Sequence, residues 1–170
     1  LEAPERWWPH THGEPARYAV AIEAKRGGDV FTIDLGYIGF RTIAVDQQAG
    51  DFRVIVNDVP VFCRGACWTP LDVVALSAPA EAYAAAVQQL VACGMNMVRV
   101  GGTMIYEDDA LYDALDEHGV LLWQDVMCAN MDYPDDLAPA IAAAVAEEFA
   151  RLQARPCVAV ICGGSEVEQQ

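Results

Sequence analysis

The sequence predicts an α/β fold preceded by a β portion, and three observations carry that prediction. Residues 1–57 hold short runs that alternate apolar and polar side chains, parted by turn residues, which is the pattern of half-buried strands. From residue 58 onward, apolar runs of strand length alternate with long helix-forming stretches, in the order β-α-β-α-β-α-β. The last apolar run, 158–162, ends in Gly163-Gly164 and is followed by Ser165 and Glu166, so a strand delivers a carboxylate from its C-terminal end.

The β portion reads as strands over 17–23, 30–35, 40–45 and 52–56. Gly27-Gly28-Asp29, Gly36 to Gly39, Gln47 to Asp51 and Asn57-Asp58 supply the turns between and after them. Short strands at this spacing suggest part of an antiparallel sandwich, assigned to 1–57. Trp7-Trp8-Pro9 reads as an aromatic plug at a domain interface.

The α/β portion, 58–170, opens with a short apolar strand over 61–63 that ends in Arg64-Gly65. An Ala-rich helix spans 80–93 and stops at Gly94. A strand covers 95–100, a helix 108–118 ends at Gly119, and a strand covers 120–123. A helix over 136–154 is closed by Pro156, and a buried strand follows at 158–162. Such alternation means parallel strands with right-handed crossovers. Four βα units are half of an eight-stranded (β/α) barrel; a doubly wound sheet is the alternative from pattern alone, but no GxGxxG loop follows any strand.

Composition excludes several classes. The chain has 170 residues, 54% of them hydrophobic, enough for a core and unlike a disordered chain. Net charge is −15 with only 10 Lys and Arg, which argues against nucleic acid and anionic membrane surfaces as partners. No apolar run has the length of a membrane span. The six cysteines form no CxxC pair and the three histidines no cluster, so no metal is expected. The cysteines read as small buried hydrophobes, and reduced thiols favour a cytoplasmic setting. No signal peptide is visible, but a chain that begins at Leu1 leaves the compartment unknown.

In parallel α/β folds, ligands gather at the C-terminal ends of the strands. Those ends carry Arg64, Trp68 and Asp72; Arg99 with Gly101-Gly102; Trp123, Gln124 and Asp125; and Ser165 with Glu166. Indoles beside carboxylates suit a sugar, whose apolar ring face stacks and whose hydroxyls need paired donors and acceptors. Each residue also has a plainer reading. Arg99 and Asp125 form a structural ion pair, Trp68 and Trp123 are packing, Asp72 caps a turn, Ser165 is a linker and Glu166 is a solvated carboxylate. Glu168 and the run Glu107-Asp108-Asp109 read as a loop carboxylate and as helix N-terminal charges.

Taken together, the motifs resemble glycoside hydrolase family 2. Trp7-Trp8-Pro9-His10 with Gly13 and Tyr18, and Ile38-Gly39-Phe40-Arg41-Thr42-Ile43, resemble the closing strands of that family's Ig-like sandwich. Asn57 to Pro60 and Val61 to Pro70 resemble the entry to its TIM barrel, continued by Gly94 to Val100, Tyr106-Glu107-Asp108, Trp123 to Met127 and Tyr133-Pro134. The Trp123-Gln124-Asp125 segment is closer to β-mannosidases and exo-glucosaminidases than to β-galactosidases or β-glucuronidases. The resemblance implies a retaining exo-glycoside hydrolase that removes terminal β-D-mannose from oligosaccharides or glycosides. Glu166 matches the general acid/base, and Trp68, Asp72, Arg99, Trp123, Asp125 and Ser165 match positions that line or support the sugar subsite. No cofactor is implied, because two carboxylates suffice for the chemistry.

The chain departs from the family pattern in three ways. The nucleophile belongs to a later strand, beyond Gln170. Gly101-Gly102-Thr103-Met104 stands where Trp-Gly-Gly-Gly is usual, and Ser165 where Asn is usual. A non-catalytic or degenerate sugar-binding or interaction module is therefore the rival expectation. Four βα units also leave open strand edges, through which copies of the chain would self-associate.

Overall fold

The computed structural model describes residues 2–167, so Glu168 lies outside the described residues. Its β portion holds two antiparallel sheets. Strands β1 (Tyr18–Arg26) and β2 (Asp29–Ile38) form a hairpin, with Arg26 paired to Asp29. The two residues between them, Gly27 and Gly28, have φ of +59° and +96°. Two consecutive left-handed residues give the turn whose twist matches a hairpin, and glycine takes both without strain. The ladder runs past the expected ends at residues 23 and 35, because a tight hairpin pairs backbone whatever the polarity of its tip. Pairing places Ile22 beside Ile33 and Ala24 beside Phe31 on one apolar face, and Ile22, Phe31 and Ile33 are about half exposed.

The second sheet has the order β3 (Ile43–Asp46), β4 (Arg53–Val56), β5 (Val59–Val61). Here the sequence reading needs correction. The apolar run at 61–63 is not the first parallel strand. Val61 ends β5, where it pairs with Val54, and both side chains are buried. Asn57 and Asp58, with φ of +50° and +70°, form the turn between β4 and β5. The antiparallel ladder thus continues past the expected 57/58 division. Pro60, which cannot donate to a ladder, is tolerated because β5 is an edge strand. Phe62 is 80% exposed, and the parallel sheet starts two residues after Cys63.

That sheet has the order β6 (Gly65–Trp68), β7 (Met97–Val100), β8 (Leu121–Asp125), β9 (Val158–Cys162), every pairing parallel. The crossovers are α1 (Ala80–Ala92), α2 (Asp109–His118) and α3 (Ala138–Leu152). Val98, Val100 and Leu122 on one face of the sheet are fully buried in a core shared with Tyr83, Val87, Leu111, Leu115 and Leu152 of the helices. β9, expected to be buried, is an edge strand: its residues are only partly covered and Ile161 is 46% exposed. The cysteines also depart from expectation. Cys157 alone is buried, while Cys67 and Cys93 are exposed.

The β portion is locked to the N-terminal end of the parallel sheet by two side chains. Trp7 is fully buried and donates its indole N–H to the Asp116 carbonyl at 2.7 Å. Its backbone N–H donates to the Phe40 carbonyl, and its own carbonyl accepts from the Asn57 amide. This is the interface plug the aromatic pair suggests. Arg41 donates to the carbonyls of Pro156 and Val158 at 2.9 and 2.6 Å, holding the entry to β9. Burial lowers the Arg41 pKa.

Trp7→Ala removes the largest side chain at this joint. It is expected to destabilise the chain by about 3–5 kcal/mol, measured as a lower denaturation midpoint in urea, whereas Trp7→Phe, which loses the indole donor but keeps a ring, costs less.

Candidate active site

Side-chain alternation decides which residues meet. Arg99 pairs laterally with Trp123, and Trp123 and Asp125 are two apart on β8. All three therefore leave the sheet on the face opposite Val98, Val100 and Leu122. That face lies away from the helices, which pack on Val98, Val100 and Leu122.

Asp125 is the centre of the cluster and is fully buried. Its Oδ1 accepts from Arg99 Nε at 3.3 Å and from the Trp123 indole N–H at 2.9 Å. Its Oδ2 accepts from the second Arg99 nitrogen at 2.7 Å and from the Gly102 backbone N–H at 3.1 Å. The pairing with Arg99 is bidentate, the geometry in which guanidinium and carboxylate bind best, and the Asp125 carboxylate raises the Arg99 pKa. Arg99 is also 5.8 Å from the Trp123 ring centroid, whose neighbour at 5.9 Å is Phe52 from the β portion.

Ser165 joins the same cluster. Its Oγ accepts from Arg99 at 3.4 Å. Its backbone is fixed by Cys128 and Asn130, through Ser165 N–H to the Cys128 carbonyl at 2.8 Å and Asn130 N–H to the Ser165 carbonyl at 3.1 Å. A side chain at position 102 would collide with the carbonyls of Val126 and Cys128, so the close approach of these loops requires Gly102.

Glu166 stands one residue further on, with φ of +57° and an exposed side chain. It lines a cavity of about 1060 Å³ bounded by Cys128, Tyr133 and the Ile141–Val145 side of α3. Among the described residues it makes no hydrogen bond or ion pair. The chain thus brings Arg99, Trp123, Asp125 and Ser165 together, with Glu166 adjacent in sequence and facing the α3 side.

The other two residues lie elsewhere. Trp68 pairs with Val100, so it projects into the helix layer, where it is 7% exposed and stacks on Tyr83 at 6.3 Å. Asp72 is exposed in the loop after β6, where its Oδ1 accepts the backbone N–H groups of Val74 and Ala75, both at 2.8 Å. These bonds, that of Ala75 foremost, hold its pKa below the usual carboxylate value.

Glu107 is the residue sequence reasoning missed. It is buried rather than one of the exposed charges at a helix start. It accepts the Trp68 indole N–H at 2.9 Å and the Tyr83 hydroxyl at 3.0 Å. No periodicity marks it, since it lies in the β7–α2 loop just ahead of two exposed or half-exposed acids. Among the described residues no group of three or more His, Cys, Asp or Glu is placed to hold a metal, and no helix is long and apolar enough to cross a membrane.

No protein-family model matches the chain. Beta-mannosidase B of Aspergillus flavus is 36% identical over 96% of the chain, and that of Neosartorya fischeri 34% identical over 98%. Among solved structures, the β-D-mannosidase of Dictyoglomus thermophilum superposes with a TM-score of 0.83 over 95% of the chain at 28% identity. The exo-chitosanase CsxA of Amycolatopsis orientalis does so with a TM-score of 0.82 over 95% at 26% identity. In sequence and in fold the chain matches a segment of the β-mannosidase-like proteins of glycoside hydrolase family 2. It spans about one fifth of the length of these relatives, 20% of each beta-mannosidase B and 21% of the Dictyoglomus protein. Shared fold with family 2 glycosidases extends across the antiparallel sheets and the parallel sheet alike.

Every group around the Asp125 carboxylate is a donor. Asp125→Asn turns one acceptor oxygen into an NH₂ that must face a donor, and leaves Arg99 without its counter-charge. The variant is expected to lose about 3 kcal/mol, the low end for a broken buried pair because Arg99 is partly solvated, read from denaturant unfolding. Asp125→Glu, too long for all four bonds, restores charge but not stability.

Proposed function

We propose that this chain carries the acid/base half of a retaining exo-β-mannosidase site, acting on terminal β-D-mannose of oligosaccharides or glycosides. In this reading the antiparallel sheets are the C-terminal part of an Ig-like sandwich. The parallel sheet is the first half of an eight-stranded barrel whose later strands bring the nucleophile. The observation that carries the proposal is the Asp125 cluster. A saturated carboxylate fixes Arg99 and Trp123 at the C-terminal ends of parallel strands, and Arg99 meets Ser165, directly before Glu166, in a chain whose relatives include proteins named beta-mannosidase B.

The roles follow from the chemistry. Glu166 donates a proton to the departing glycosidic oxygen and then removes one from the attacking water. Asp125, with both oxygens engaged by four donors, is a positioning group and not a nucleophile. Arg99 and Ser165 present donors to sugar hydroxyls, and Trp123 offers an indole face. Trp68 and Asp72 support the rim, Trp68 from within the helix layer.

A retaining mechanism needs a second carboxylate about 5–5.5 Å from the first. The isolated 170-residue chain is therefore expected not to hydrolyse p-nitrophenyl β-mannoside. In a polypeptide carrying this segment at the length of its relatives, Glu166→Ala should lower kcat/KM on alkyl β-mannosides, which reports the step that needs the acid, by roughly 10²–10⁴-fold. The loss should be far smaller on 2,4-dinitrophenyl β-mannoside, whose leaving group departs without a proton, and azide should yield β-mannosyl azide. Equal losses on both substrates, or none, would overturn the assignment.

One observation favours a second reading, a sugar-binding module without catalysis: Glu166 is exposed and faces α3, away from the Asp125 cluster. Calorimetric titration with mannose or mannobiose separates the two readings. Saturable heat with no turnover in the long polypeptide supports the module.

A further inference from the structure

A buried polar network lies behind the Asp125 cluster, on the helix side of the sheet, and its hub is Glu107. Among the described residues its carboxylate meets only neutral donors, Trp68 at the tip of β6 and Tyr83 of α1. Burying a carboxylate without a cation on it costs stability, so the position does not serve the core as an apolar residue would. The backbone of Glu107 is bound too. Its N–H donates to the Tyr112 hydroxyl at 3.3 Å, and its carbonyl accepts from Arg151 of α3 at 2.9 Å.

Tyr112 carries the connection to β8. Its hydroxyl is 3.0 Å from Glu148 Oε1 and 3.4 Å from Gln124 Oε1. Burial and the Glu148 charge raise its pKa, so it stays a neutral donor. Gln124 in turn donates its amide to the carbonyl of Asp125 at 2.9 Å. One loop residue thus touches, directly or through Tyr112, the C-terminal ends of β6 and β8 and all three helices. Among the described residues no buried side-chain polar atom in this region lacks a partner.

We infer that Glu107 is a positioning residue for the candidate site: from the β7–α2 loop it sets Trp68 at the tip of β6 and, through Tyr112 and Gln124, the end of β8 that carries Asp125. It does so without touching sugar. The inference rests on the site reading given under Proposed function, but its test needs no catalysis, so the two fail separately.

The chain contains its own probes. Its four tryptophans give four indole N–H resonances. Trp68 donates to Glu107 and Trp123 to Asp125, and Trp68→Phe and Trp123→Phe assign them in ¹⁵N-labelled protein. Glu107→Ala is expected to move both the Trp68 and the Trp123 resonance, although Trp123 does not touch Glu107. Glu107→Gln keeps one acceptor for the indole and lets the Tyr83 hydroxyl turn to Asp108, its second partner at 3.1 Å; it should return both resonances towards their original positions. A shift of Trp68 with Trp123 unmoved reduces Glu107 to a local prop and overturns the inference. If Glu107→Ala does not fold, Tyr112→Phe decides. It cuts the bridge while leaving the carboxylate in place, so Trp123 must shift and Trp68 stay; an unmoved Trp123 overturns the inference equally.

Discussion

The site depends on one saturated carboxylate. Asp125 is buried on the face of the sheet away from the helices, and each of its oxygens accepts two hydrogen bonds. A buried carboxylate is costly unless its charge is paired and its lone pairs are filled. Here both conditions are met by groups from three segments: Arg99 on β7, Trp123 on β8 itself, and the Gly102 backbone in the loop beyond β7. Because the donors sit on different segments, satisfying the charge also fixes where those segments lie. Among the described residues Ser165 joins the cluster through Arg99, while the backbone of the final loop, and with it the starting point of Glu166, is fixed by Cys128 and Asn130.

A second level of order lies behind the first. The Asp125 cluster and the Glu107 network occupy opposite faces of the same strands, and they meet at adjacent residues, Gln124 on one face and Asp125 on the other. β8 is thereby held from both sides at its C-terminal end. The N-terminal end of the sheet is held differently, by the Trp7 plug and by the Arg41 contacts to the carbonyls before and within β9. The β portion is thus anchored at the N-terminal end of the sheet, and the polar clusters lie at the opposite end, the division expected of a (β/α) arrangement.

Much of this was legible in the residues. The helices at 80–93 and 108–118 and the strands β7, β8 and β9 announce themselves by propensity, period and terminal glycine, because those signals act within one turn or one strand. The cluster of Arg99, Trp123, Asp125 and Ser165 was legible as well, since the C-terminal end of a parallel strand is a position that sequence order alone supplies. What failed were judgements that depend on lateral neighbours. Val61-Phe62-Cys63 looks like any short buried strand, and only pairing with Val54 assigns Val61 to the antiparallel sheet. Trp68 was expected to line or support the sugar subsite, and only its register with Val100, which faces the helices, puts its side chain in the helix layer. The run at 158–162 is apolar because one side of it meets the core, yet as an edge strand it stays half open.

By itself, then, the sequence determined the order of elements, the direction of the strands, and the set of polar side chains delivered to one end of the parallel sheet. These follow from local periodicity and from the handedness of β-α-β crossovers, neither of which needs knowledge of distant contacts. The tertiary structure decided which of those side chains meet. It sent Trp68 to the helix layer and Asp72 to an exposed turn, gathered Arg99, Trp123 and Ser165 on Asp125, and turned Glu107 from one acid in a charged run into the hub of a buried network. The physical reason is that burial of a charge is set by the donors that surround it, and those donors come from segments far apart in the chain.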